Sequence, residues 1–211
     1  MRTIMYTKYP STPHLPFSPG MQRDDTRIRS LNSLEGREVV ITEKMDGENS
    51  NMYTDHIHAR SVDSRHHPSR DWVKNFWNSI RLDIPSNFRL CGENVYARHS
   101  VSYNNLETYF YGFSVWDGDR CLSWDDTLEF FELLGITPVP VIYRGVFDVK
   151  TVEQIANNFD VENKEGFVVR VAGDFSYNQF DTHVAKWVRA GHVQTDKHWM
   201  HSQVKPNQLK V

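Results

Sequence analysis

Apolar and polar residues alternate along much of the chain with the two-residue period of half-buried strands, and the helical period appears in a few short stretches. Residues 37–43, REVVITE, are a β-branched run that predicts a strand. Asp46-Gly47 just beyond it signals a tight turn, and residues 51–61 predict a second, more polar strand. Residues 62–70 read as a loop. Trp72, Phe76 and Ile80 recur every fourth position and predict a helix over 71–81, with Pro85 past its end. Strands are predicted over 88–97 and 108–116. Ser123 is placed to cap a helix whose first turn carries Asp125 and Asp126 and whose apolar stripe is Leu128, Phe131 and Leu134. Gly135 ends that helix, Pro138 follows, and residues 139–145 return as a strand. Thr151 with Gln154 has the spacing of a capping box for a short helix over 152–159. EGFVVRVAG (165–173) and HVAKWVRA (183–190) are the last two strands predicted.

Many strands, three modest helices and no regular strand–helix alternation predict an α+β fold with mixed, mainly antiparallel sheets. Residues 8–20 hold four prolines and one glycine and read as an ordered arm or loop. The expected organisation is an N-terminal arm over 1–35, one domain over 36–192 and a short polar tail over 193–211.

Composition narrows the function classes only modestly. A chain of 211 residues suffices for one domain with a sizeable core. The net charge of -3 means that any phosphate-binding surface must be local. The 6 Trp, 9 Tyr and 12 Phe fit a large core, base-stacking surfaces, or both. Cys91 and Cys121 suggest neither a disulfide framework nor a zinc module. MRTIMYTKYP lacks a signal peptide's apolar stretch, and nothing approaches a transmembrane helix in length, so a soluble, cytoplasmic protein is expected.

The candidate chemistry lies in four strand-associated motifs. In Glu43-Lys44-Met45-Asp46-Gly47-Glu48 a lysine sits at a strand end beside a turn. A lysine is a nucleophile only when its amine is neutral, which calls for a pKa lowered by burial or nearby cations; a surface hairpin with a solvated lysine is the alternative. In Cys91-Gly92-Glu93-Asn94 the glycine permits close backbone approach and Glu93 is placed to accept from ribose hydroxyls, unless this is a bulged strand with an exposed Glu. Glu165-Gly166-Phe167 suits a metal ligand at a sheet edge, or an ordinary hairpin entrance. In Ala185-Lys186-Trp187-Val188-Arg189 a basic residue among apolar ones needs an anionic partner if buried; an outward lysine on an edge strand is the alternative.

Taken in order, these motifs resemble the covalent nucleotidyltransferase superfamily of DNA ligases, RNA ligases and mRNA capping enzymes. Lys44-Met45-Asp46-Gly47 resembles motif I, Arg60-Ser61 the arginine motif after it, and Cys91-Gly92-Glu93 motif III. Phe110 to Asp117 resembles motif IIIa, Glu165 to Val169 motif IV and Ala185 to Arg189 motif V. The likeness covers residues 38–190 and is greatest to the small RNA ligases of the phage-type nick-sealing branch, with Glu43, Lys8-Tyr9-Pro10 and the run from Glu93 to Ser100 contributing. A phage or bacterial origin is compatible with it.

The resemblance implies an ATP-grasp-like nucleotidyltransferase (adenylation) domain over 36–192 and an ATP-dependent RNA ligase that works through lysyl-AMP and an adenylylated 5′ end. It implies that Lys44 attacks the α-phosphate of ATP, and that Glu43 reads the adenine edge while Phe113 stacks on its face. Glu93 would bind ribose and Arg60 ribose or phosphate. Glu165 would hold a divalent ion, Mg²⁺ or Mn²⁺, and Lys186 would neutralise the α-phosphate. Asp46 would orient the lysine or a metal-bound water. The expected partners are RNA ends, nicked or single-stranded, with DNA as a further candidate, no membrane, and room for a partner protein that supplies end recognition. Many relatives carry two motif V lysines one residue apart; here the second cation falls to Arg189, whose strand parity opposes Lys186 unless the strand bulges. No OB domain is expected in the tail. The alternatives are an ATP-dependent DNA ligase, a capping-type guanylyltransferase, or a non-catalytic nucleic-acid-binding protein on the same fold.

Overall fold

The computed structural model describes residues 6–191 and 204–211, so residues 193–203 of the expected tail lie outside the described residues. In chain order the strands and helices are β1 (Glu38–Lys44), β2 (Glu48–Met52), β3 (Ile57–Ala59), α1 (Asp71–Ile80), β4 (Phe88–Asn94), β5 (Phe110–Asp117), β6 (Arg120–Cys121) and α2 (Trp124–Leu134). They continue with β7 (Thr137–Pro138), β8 (Val141–Val146), α3 (Val149–Asn157), β9 (Gly166–Val171), β10 (Phe175–Ser176), α4 (Phe180–His183) and β11 (Val184–Val188).

Two sheets result. One has the order β11-β9-β1-β8; the other runs β10-β6-β5-β4-β2-β3, with β7 added parallel to β5. Every other pairing between these strands is antiparallel. α3 covers the outer face of the first sheet, where Val152 meets Val39, Ile41, Phe167, Val169 and Trp187. α1 and α2 cover the second, with Val73, Ile80 and Phe131 against Met52, Leu90, Phe110 and Val115. Each fully buried aliphatic or aromatic side chain here is worth about 1.5–3 kcal/mol.

Local signals explain most boundaries. Ser123 accepts a hydrogen bond from the Asp126 N–H at 3.1 Å, and Gly135 ends α2 in the left-handed conformation at φ 65°. α3 begins earlier than expected. Asp148 is its cap, accepting from the Thr151 N–H at 2.9 Å, so Thr151 lies in the first turn instead of capping it. The stretch read as one strand over 51–61 is a hairpin: the chain turns at 53–56, where the Tyr53 N–H bonds the His56 carbonyl, and β2 pairs with β3. Four α-helices, not three, stand among the described residues; α4 is a single turn with no sequence period to announce it.

The arm is built into the domain. Leu15, Ile28 and Leu34 are buried in the main core. Residues 13–20 run along β11, exchanging hydrogen bonds between Pro13, Leu15 and Lys186 at 2.8 Å and between Gly20 and Val188 at 2.9 Å. They satisfy backbone groups that β11 would otherwise expose at the sheet edge. Among the described residues no helix is long and apolar enough to cross a membrane.

Candidate nucleotide-binding cleft

The Asp-Gly turn does not close a hairpin. β1 belongs to one sheet and β2 to the other, so Met45-Asp46-Gly47 carries the chain across the gap between them. Gly47 presses against β4: a Cβ there would stand 2.4 Å from the Asn94 carbonyl oxygen, so the crossing needs glycine. The gap is a cleft of roughly 1100 Å³, lined by residues of both sheets and of the arm.

All eight singled-out residues line this cleft: Glu43, Lys44, Asp46, Arg60, Glu93, Phe113, Glu165 and Lys186. Strand register accounts for part of the set. Lys186 pairs with Val168, which pairs with Thr42, so these three share one row on the cleft face of the first sheet. Lys44 stands one pleat along on the same face. From the second sheet β4 contributes Glu93 and β5 contributes Phe113, which meets Tyr9 of the arm edge-on at 5.4 Å.

Lys44 Nζ lies 2.6 Å from Glu165 Oε1, with the lysine 23% exposed and the glutamate 1%. Burial would lower the lysine pKa, but the charges of Glu165, Glu93 and Asp46 outweigh it and hold the ammonium above its ordinary value. This corrects the expectation of a lowered pKa: in the resting cleft the amine is paired and protonated. Glu93 is driven the other way. Burial first, and the neighbouring carboxylates Glu165 and Asp46, push it up to about 8 despite Lys44 beside it. The carboxyls repel one another here, and a cation bound beside them would relieve that repulsion and favour the ionised Glu93.

Asp46 Oδ2 accepts from Ser100 Oγ at 2.8 Å and from the Val101 N–H at 2.6 Å, while its own N–H donates to the Tyr103 hydroxyl at 2.9 Å. Its bonds fix the crossing turn to the loop after β4. Glu43, nearly fully buried, is ion-paired with Lys164 at 2.5 Å. Lys186, also buried, has Asp25 at 3.5 Å; Asp25 in turn meets His14 Nε2 at 3.1 Å. Burial draws the Lys186 pKa down, and Asp25 partly offsets this. Arg60 is exposed at the rim and donates to Ser11 Oγ.

Several expectations change in detail. β9 is an inner strand, so Glu165 is buried at its start and does not stand at a sheet edge. Lys186 is on the last strand of its sheet yet faces the cleft, because its register puts it in the row of Val168 and Thr42, and the arm covers the edge beside it. β4 itself does not bulge: consecutive Cys91 and Gly92 pair with Ser114 and Gly112, so the extra residue is Phe113 of β5, while Glu93 lines the cleft and the close neighbour of Gly92 is the Phe110 ring. Arg189 lies just past β11, its N–H bonded to the Glu165 carbonyl at 3.1 Å. Sequence reasoning missed Lys164 and Asp25, the counter-ions of Glu43 and Lys186, and Tyr103; each belongs to a polar or irregular stretch that no periodicity marks.

The donors available for a metal are carboxylate oxygens, which suit a hard divalent cation. Among the described residues no three or more His, Cys, Asp or Glu side chains cluster closely enough to hold one by themselves.

Comparison with solved structures places the architecture among ligase nucleotidyltransferase domains. An archaeal ATP-dependent RNA ligase aligns with a TM-score of 0.58 and 14% identity over 86% of this chain and 48% of that one. A Naegleria gruberi RNA ligase with PPi aligns at 0.55 and 18%, over 87% of this chain and 61% of that one. This chain thus spans about half to three-fifths of the length of these proteins. Among curated proteins, a Listeria monocytogenes protein named "Putative N-acetylmannosamine-6-phosphate 2-epimerase" is 28% identical over 96 residues, 44% of this chain and 42% of that protein. The model of the family described as "RNA ligase" matches residues 37–188, which takes in every strand and helix from β1 to β11. The chain belongs to the RNA ligase family.

Proposed function

We propose that this protein is an ATP-dependent RNA ligase that joins 5′-phosphate and 3′-hydroxyl ends through lysyl-AMP on Lys44. The observation that carries the reading is the convergence of Lys44, Glu93, Glu165 and Lys186, from four separate stretches of chain, on one cleft. Lys44 Nζ forms a bond to the α-phosphorus of ATP as the bond to pyrophosphate breaks. Before the attack the ammonium passes one proton by way of Glu165 Oε1, its partner at 2.6 Å, to water, which frees the nitrogen lone pair; the second N–H proton, lost as the N–P bond forms, leaves with pyrophosphate. A 5′-phosphate oxygen then attacks the same phosphorus and releases the lysine amine, giving the adenylylated 5′ end. A 3′-hydroxyl attacks the 5′-phosphate, and AMP leaves. Lys186, in the neighbouring row of the same sheet face, neutralises the α-phosphate.

Phe113 stacks on the adenine and Glu43 reads its edge, with Lys164 paired to that carboxylate and orienting it. Glu93 receives the ribose hydroxyls, and Arg60 at the rim meets ribose or phosphate. Asp46 orients the lysine by fixing the turn that follows it. Glu165 is the candidate ligand for Mg²⁺ or Mn²⁺, which when bound neutralises developing phosphate charge and favours a neutral lysine. A lysine-to-alanine mutant of the Naegleria gruberi RNA ligase has been solved with ATP and Mn.

Sealing assays on nicked RNA, single-stranded RNA and nicked DNA, with ATP and GTP compared in label transfer, test the reading. Joined RNA with ATP supports it. Sealing of nicked DNA alone makes the protein a DNA ligase, and labelling by GTP alone makes it a guanylyltransferase. RNA binding without labelling leaves a non-catalytic binder.

A further inference from the structure

We propose that Asn207, far along the chain in the C-terminal segment, is a positioning residue for the chemistry at Lys44, acting through Tyr103 on Asp46. What the positioned lysine does rests on the ligase reading; the positioning rests on geometry alone.

Residues 204–211 return to the loop that joins β4 to β5, bridging Ala97 with Pro206 and Leu106 with Leu209. Asn207 is the buried anchor of this contact, 2% exposed. Its Nδ2 donates to the carbonyls of Val95 at 2.8 Å and Ala97 at 3.4 Å. Its Oδ1 accepts from the Tyr103 N–H at 2.9 Å. Its backbone N–H donates to the Tyr96 carbonyl at 2.8 Å, and its carbonyl accepts from the Tyr109 hydroxyl at 3.0 Å. One side chain therefore ties the start of the loop to its middle, using both ends of its amide.

The same loop holds Asp46. Ser100 Oγ and the Val101 N–H bind the Asp46 carboxylate, and the Tyr103 hydroxyl takes the Asp46 N–H. Tyr103 is thus fixed at its backbone by Asn207 and fixes, through its hydroxyl, the residue two positions after Lys44. Loosening the loop frees the crossing turn, and a misplacement of about 1 Å at a reacting group costs on the order of 100-fold in rate. A carboxylate cannot substitute, because Asp at this position would turn an acceptor toward the Val95 and Ala97 carbonyls.

The test uses the full chain as wild type, Asn207→Ala, Tyr103→Phe and the double variant, with two readouts. Hydrogen exchange reports the amides of Asp46 and Val101 independently of any activity. Single-turnover labelling with α-labelled ATP separates the rate constant of adduct formation from its amplitude. We expect both amides to exchange about ten-fold faster or more in Asn207→Ala, as the loss of one to two hydrogen bonds implies. The rate constant should fall about ten-fold or more with amplitude and ATP KM retained, and the double variant should be no slower than the worse single one. Wild-type exchange at both amides, or reduced amplitude with an unchanged rate constant, overturns the proposal, because only the folded fraction would then have changed. Should Asn207→Ala fail to fold, Asn207→Ser gives the milder lesion with the same criteria. If wild type forms no adduct, the ligase reading fails, and the exchange measurement decides the positioning alone.

Discussion

Gly166→Ala is the sharpest probe of how the cleft is held together. A Cβ on Gly166 would stand 2.0 Å from the Trp187 carbonyl oxygen, where under 3.0 Å something must shift. The two strands must therefore part by about 1 Å, and the obstacle is backbone, so no rotamer change relieves it. Gly166 follows Glu165, and Trp187 follows Lys186, so the separation falls between the lysine's ion-pair partner and the residue assigned to the α-phosphate. Overpacking of this kind costs about 1–3 kcal/mol, and for a chain of this size each kcal/mol lowers Tm by roughly 2–4 °C. The displacement predicts a fall in the adenylylation rate on the order of 100-fold, beyond what the lost stability explains at 25 °C. Differential scanning fluorimetry and single-turnover labelling at 25 °C measure the two effects. A variant that melts with wild type and forms adduct within about two-fold of its rate would refute the reasoning.

Glu43→Ala removes the carboxylate assigned to the adenine edge and leaves Lys164 unpaired; ATP KM should rise about ten-fold or more and discrimination against GTP should narrow, measured by competition labelling. Ser123→Ala removes the α2 cap and should cost about 1 kcal/mol, a drop of roughly 2–4 °C in Tm with adduct formation unchanged. His58 is buried and its pKa is lowered to about 4, chiefly by burial, so the unfolded chain takes up its proton before the folded one does. Its contribution is therefore intact above pH about 6.5 and is lost as pH falls toward 4, by on the order of 3 kcal/mol. Melting temperatures from pH 7 to 4 should fall less steeply in His58→Gln than in wild type.

The elements that positions in the sequence announce are those whose own period or punctuation is sufficient. The β-branched run of β1, the fourfold spacing of α1 and the Ser123 and Gly135 boundaries of α2 all reflect forces within a few residues of themselves. The cleft residues were legible for a different reason: each lies in a motif whose order along the chain resembles a known superfamily. What stayed hidden depends on contacts between distant segments. The Asp46-Gly47 turn looks like a hairpin locally and becomes a crossing only because β1 and β2 find different partners. The arm's place beside β11 and the Asn207 anchor under the loop after β4 are likewise settled by pairing across more than a hundred residues. Lys44 shows the same limit in its chemistry, since Glu93 and Glu165, brought from other segments, join the nearby Asp46 in reversing the pKa direction that burial alone would give.

The central claim is that Lys44 carries AMP. Wild type incubated with α-labelled ATP and Mg²⁺ should yield a covalent, acid-stable adduct, mapped by peptide mass analysis to Lys44, and Lys44→Ala should yield none. Labelling of Lys44→Ala to the wild-type level, or no adduct on wild type with any nucleotide, would contradict the account.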